Sequence, residues 1–127
     1  MSSVVLDSSV VLAHLWNEPG AAAAKNVFGD ALISSANLTE VLTKLMNKGA
    51  EFETALAAFD ELNIQVKDFT RDLAESAGEF SRITNIRGLS LGDRACLALA
   101  RRENLPAITA DRAWKGVDIG VEIELIR

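Results

Sequence analysis

The chain has 127 residues, 49% of them hydrophobic and 24% charged, with a net charge of −5, one cysteine and one histidine. That length suits one domain spanning residues 1–127, and the composition is that of a globular protein, which excludes a disordered or fibrous chain. A lone Cys96 and a lone His14 exclude an internal disulfide and a Cys/His zinc cluster, and the acidic balance excludes nucleic-acid binding through a broad basic surface.

No apolar run approaches the roughly 20 residues of a membrane span, and the N-terminus lacks the basic region and cleavage pattern of a signal peptide. The expected location is the cytoplasm.

In chain order, SVVL (3–6) reads as a short strand apolar on both faces, and SSVVLAHLW (8–16) as the helix that follows it. AAAAKNVF (21–28) predicts a second helix and ALIS (31–34) a second strand. NLTEVLTKLMNKG (37–49) predicts a helix with Leu38, Val41, Leu42 and Leu45 on one face and Gly49 as its stop. EFETALAAFDEL (51–62) predicts a further helix, IQVKDF (64–69) a strand, RDLAESAGEFSRIT (71–84) a helix, and NIRG (85–88) a turn. LGDRACLALARREN (91–104) is helical up to the halt at Pro106, with Cys96 as core filler; AIT (107–109) and VEIELI (121–126) are the last strands.

Strands separated by helices require crossover connections. The fold class is therefore α/β, with a mostly parallel sheet covered by helices on both faces as a three-layer α/β/α sandwich. Ligands of such sheets sit beyond the carboxyl ends of the strands, where strand order reverses.

Four acids map to that edge. Asp7 directly follows the first strand, Asp111 lies just past AIT, and Glu40 and Asp93 fall in the first turns of their helices. Each has a local reading as well: Asp7 stands at a helix-cap position, Glu40 follows Asn37 by three residues, and Asp93 follows Ser90 by three. Convergence from four separate segments needs more than capping, because clustered carboxylates repel unless a cation or a proton is shared. Carboxylate oxygens without His or Cys suit Mg²⁺ or Mn²⁺.

With these motifs in place, VVLDSSVVLA, ISSANLTEVLTKL, LSLGDRACLALA and AITADRAW resemble, in that order, the acidic motifs of the PIN-domain ribonucleases, and in particular the VapC toxins of prokaryotic toxin–antitoxin pairs. The resemblance covers essentially the whole chain. It implies that Asp7, Glu40, Asp93 and Asp111 are the catalytic, metal-binding acids and that Ser9 and Thr109 support them. It further implies a Mg²⁺- or Mn²⁺-dependent endoribonuclease that uses water and leaves 5′-phosphate and 3′-hydroxyl ends, a VapB-like antitoxin partner, and a homodimer. Arg94 and Arg112 are candidate RNA contacts, with Lys44, Arg87 and Lys115 close in sequence, and Trp114 either stacks on a base or is buried structure. The stretch AHLWNEPGAAAAKNVF, with Trp16 and Phe28, and the helix bearing Phe52 and Phe59 offer apolar surface for an antitoxin helix.

Other functions remain open for an α/β domain of this size. A phosphoacceptor receiver module would use Asp68 of IQVKDF, but it wants an acidic pair near the first strand end and a lysine after the last parallel strand. Asp7 is followed by serines, and no lysine follows Lys115. A haloacid-dehalogenase-like phosphatase wants a second acid two residues after Asp7, where Ser9 stands. A non-catalytic protein-binding domain leaves the four acids unexplained.

Overall fold

The computed structural model describes residues 2–84 and 88–127. Five strands, β1 (Val4–Leu6), β2 (Ala31–Ser34), β3 (Gln65–Lys67), β4 (Ala107–Thr109) and β5 (Ile123–Leu125), form one sheet in the order β3-β2-β1-β4-β5. Every pairing is parallel. Among the described residues six α-helices accompany them: α1 (Ser8–Leu15), α2 (Ala21–Lys25), α3 (Ser35–Asn47), α4 (Phe52–Asp60), α5 (Arg71–Thr84) and α6 (Leu91–Glu103).

The three central strands are buried on both faces, as parallel strands between helical layers must be. Side chains alternate along them. Val4 and Leu6 join Ala31, Ile33 and Ile108 in a core with residues of α1 to α4, whereas Val5, Leu32 and Ala107 face a second core built with α5 and α6. Helix α6 is buried continuously from Ala95 to Ala100, Cys96 included, and α5 covers it with Leu73, Ala77 and Phe80 at helical spacing. These are the two helical layers of the expected sandwich.

Strand order reverses between β1 and β4, so the crevice expected of an open parallel sheet lies at their carboxyl ends. This order is incompatible with the receiver reading. A receiver-type sheet runs 2-1-3-4-5 with β3 central, while here β3 is an edge strand and Asp68 lies beyond it, two strands away from Asp7.

Several boundaries differ from expectation. The helix expected over 21–28 ends at Lys25, and a 3-10 turn follows at Phe28–Asp30, because Phe28 drops into the core and packs edge-on against His14 with ring centroids 5.1 Å apart. Helix α3 begins at Ser35, two residues early: the hydroxyl of Ser34 accepts the Ala36 N–H at 3.2 Å and caps the helix straight off the strand. Asn37 is therefore inside the helix, and Glu40 stands in its second turn. The final strand is Ile123–Leu125, shorter than 121–126, and an unexpected 3-10 turn spans Arg112–Trp114. Of the NIRG turn, residues 85–87 lie outside the described residues. Among the described residues no helix is long and apolar enough to cross a membrane.

Candidate active site

Asp7 leaves β1 in extended conformation at the cap position of α1, yet its side chain caps nothing. Its N–H donates to the Ile108 carbonyl of β4 at 2.9 Å, which fixes the residue at the reversal point of the sheet. The carboxylate is buried, 3% exposed, and only one of its oxygens is satisfied. Oδ2 accepts the Ser9 hydroxyl at 2.6 Å and the Thr109 hydroxyl at 2.9 Å, while Oδ1 is buried without a hydrogen-bond partner. Burial drives the Asp7 pKa from 3.8 up to about 6, against the pull of the two hydroxyls, and the charges of Asp93 and Glu40 push in the same direction as burial.

Ser9 and Thr109 are themselves anchored. Ser9 Oγ accepts the Ala110 N–H at 2.9 Å, and Thr109 Oγ1 accepts the Asp111 N–H at 3.0 Å. The end of β4 is thereby bound to the start of α1 through side chains that both address one carboxylate oxygen.

Glu40 approaches from α3. Its Oε1 accepts the Ser8 hydroxyl at 3.0 Å and the Asn37 amide Nδ2 at 2.9 Å, and the same Nδ2 donates to the Gly92 carbonyl of α6 at 2.9 Å. No sequence motif marks Ser8 as a partner of Glu40, and the expected pairing of Asn37 with Glu40 is a helix cap, whereas Asn37 lies inside the helix and bonds the carboxylate through its amide. The usable signals were adjacency to Asp7 for Ser8, and for Asn37 the three-residue spacing that puts it on the Glu40 face of the helix.

Asp93 sits in the first turn of α6, where it closes a capping box: its N–H donates to Ser90 Oγ at 3.2 Å and the Ser90 N–H donates to its Oδ2 at 2.8 Å. The cap role is thus present. Burial raises its pKa all the same, opposed by the Ser90 bonds and reinforced by the charges of Glu40 and Asp111. Asp111 is exposed and accepts the Ala113 N–H at 2.9 Å through Oδ1, which opens the 3-10 turn after β4. One turn beyond Asp93, the buried Cys96 thiol is pushed well up by its burial and then by the charges of Asp7, Asp93 and Glu40.

The four acids therefore share one edge and one electrostatic field, although they arrive from four segments. Three helices, α1, α3 and α6, start there, and their positive ends offset part of the repulsion. Among the described residues no three carboxylate, imidazole or thiol side chains stand ready-made as a metal cage. What the edge offers a cation is an unpartnered buried carboxylate oxygen and a cluster of negative charge that, among the described residues, forms no ion pair with a lysine or arginine.

The expected cations are less uniform. Arg94 donates through Nη1 to the Ala77 carbonyl at 3.0 Å and so braces α6 against α5. Arg112, Lys44 and Lys115 are exposed, and Arg87 lies outside the described residues. Trp114 is wholly buried in the second core, which removes it as a stacking platform. Of the aromatic residues offered for an antitoxin helix, Phe28 and Phe59 are buried in the first core, Trp16 is half-buried beneath Lys48 Nζ at 5.5 Å from the ring centroid, and Phe52 is 47% exposed.

A parallel α/β sheet with acids gathered at its reversal point defines a class of domains that handle ligands at that edge. The PIN domain profile matches residues 4–120, and the chain belongs to the PIN-domain family. No curated protein matches it in sequence. Solved structures share the fold: a DNA-bound VapBC of Salmonella typhimurium at 19% identity and TM-score 0.77, covering 100% of both chains, and a toxin–antitoxin complex of Klebsiella pneumoniae at 20% identity and TM-score 0.75, covering 98% of each. A third is VapC20 of Mycobacterium tuberculosis, a toxin that cleaves the sarcin–ricin loop, at 22% identity and TM-score 0.73, covering 94% of this chain and 99% of that one.

Proposed function

We propose that this chain is a metal-dependent endoribonuclease, the toxin of a VapBC-type pair, acting in the cytoplasm on RNA and held in check by a VapB-like antitoxin. The observation that carries this reading is the half-partnered Asp7 carboxylate, buried at the sheet reversal among Glu40, Asp93 and Asp111. Family membership and the fold shared with toxin–antitoxin structures support it.

Asp7, Glu40, Asp93 and Asp111 are the residues that would hold Mg²⁺ or Mn²⁺, because their hard oxygen donors suit such ions and their mutual repulsion falls when one binds. A bound ion of this kind supplies hydroxide near neutral pH and offsets charge on the phosphate. The chain's own contribution is orientation. Ser9 and Thr109 occupy Oδ2 of Asp7 and leave Oδ1 without a partner, while Ser8 and Asn37 hold Glu40 by one oxygen. Arg112, Lys44 and Lys115 are exposed and would meet RNA phosphates. Attack by water and not by the ribose 2′-hydroxyl leaves 5′-phosphate and 3′-hydroxyl ends. The protein acts as a homodimer.

The test is incubation of the purified protein with a panel of structured RNAs in Mg²⁺, in Mn²⁺ and in chelator. Cleavage is expected with either ion and none in chelator, and Asp7→Asn abolishes it. Cleavage that persists in chelator contradicts the proposal.

A further inference from the structure

Gly92 occupies the second position of α6, between Leu91 and the acid Asp93. Its backbone is helical and its φ is not in the left-handed region, so no conformational demand calls for glycine there. Glycine inside a helix is in fact less favourable than alanine. The reason for it lies across the interface: a Cβ on residue 92 would fall on the Glu40 carboxylate, overlapping Cδ and both oxygens. The carboxylate of α3 rests on the bare backbone of α6.

Asn37 completes this seat. Its amide is fully buried, and Nδ2 donates to Glu40 Oε1 and to the Gly92 carbonyl, each at 2.9 Å, while Oδ1 has no partner. Turning the amide over would set Oδ1 against a carboxylate and a carbonyl, so the wiring has one sense. One side chain thus fixes the Glu40 carboxylate and binds α3 to the first turn of α6, one residue from Asp93 along α6 and three from Glu40 along α3.

We propose that Gly92 and Asn37 are paired positioning residues that seat the Glu40 carboxylate on α6 and thereby set its approach to Asp93 for a shared divalent cation. This rests on the reading of Glu40 and Asp93 as cation ligands given above. The two residues touch neither the cation nor RNA; they act through Glu40.

The seat predicts an unusual separation of effects. In Gly92→Ala the atoms nearest the methyl group are the far end of a flexible side chain, so the helix accepts it while the carboxylate is displaced. Wild type, Gly92→Ala, Asn37→Ser and Glu40→Gln are compared by titration with Mn²⁺, the free ion being read by its electron paramagnetic resonance signal without RNA, and by thermal melts in chelator. Gly92→Ala is expected to melt at or a few degrees above wild type, yet to bind Mn²⁺ about 10- to 100-fold more weakly, and Asn37→Ser is expected to weaken binding to a similar degree. Wild-type Mn²⁺ affinity in Gly92→Ala, with Glu40→Gln weakened, overturns the seat while leaving the ligand reading intact. Wild-type affinity in Glu40→Gln overturns the ligand reading itself. A Gly92→Ala protein that melts well below wild type overturns the claim that the carboxylate alone must yield.

Discussion

Replacing Asp7 with asparagine should stabilise the metal-free protein at neutral pH, although it removes the centre of the proposed site. The magnitude follows from the burial of the carboxylate. A rise in pKa from 3.8 to about 6 corresponds to about 3 kcal/mol by which ionisation of Asp7 disfavours the folded state. The sign is that of an acid with a raised folded pKa: between about 6 and 3.8 the folded chain binds more protons than the unfolded one, so stability rises as pH falls through that window and is lowest above it. Asparagine mimics the protonated acid and keeps an oxygen for Ser9 and Thr109, but it buries an amide N–H₂ in place of Oδ1, an offset of about 1 kcal/mol. Asp7→Asn should therefore gain about 2 kcal/mol over wild type at pH 7.5 in chelator, several degrees in Tm for a chain of this length. Thermal melts of both proteins from pH 7.5 to 4 provide the assay. The advantage of the variant should shrink steadily below pH 6, vanish at about pH 4.5 and be slightly reversed at pH 4. A variant less stable than wild type at pH 7.5, or a difference that ignores pH, refutes the burial argument.

Other perturbations separate the roles further. Mn²⁺ at ten times its dissociation constant should stabilise wild type by about 1.4 kcal/mol, and Asp93→Asn should lose most of that gain in melts while changing little in chelator, where relief of repulsion offsets a weaker capping box. Thr109→Val removes a buried hydroxyl bound to the Asp7 carboxylate and should cost about 1.5–3 kcal/mol in urea unfolding at pH 7.5. Among the four acids, Asp111→Asn should reduce RNA cleavage least, because that carboxylate is exposed and serves the Ala113 N–H. Expression without an antitoxin should arrest growth, and arrest that persists with Asp7→Asn would show a cause other than the nuclease.

Much of the fold was legible because its signals are local. The strands 31–34 and 107–109 and the helix 71–84 were read to the residue, since each is an apolar run or an amphipathic stripe bounded by polar residues or proline. The sequence does not settle the start of α3, because Ser34 and Asn37 are both good caps three residues apart, and only the tertiary fold decides that Ser34 caps while Asn37 turns inward to Glu40 and Gly92. Helix α2 was overextended because four alanines favour a helix that the burial of Phe28 interrupts. The four acids could be assigned to one edge from topology, since strand ends and helix starts of a parallel sheet coincide there. The hydrogen bond that Thr109 gives the buried Asp7 carboxylate and the seat of Glu40 on Gly92 join residues far apart in sequence, 55 residues for Asn37 with Gly92 and 102 for Thr109 with Asp7, which no local pattern records.

The most direct test of the proposed chemistry is the identity of the RNA ends. RNA cut by the purified protein in Mg²⁺ should carry 5′-phosphate and 3′-hydroxyl termini, so that ligase rejoins or extends the fragments without prior kinase treatment. Fragments bearing 2′,3′-cyclic phosphate and 5′-hydroxyl ends, or the same fragments produced in chelator, would contradict water attack supported by a cation at the Asp7 edge.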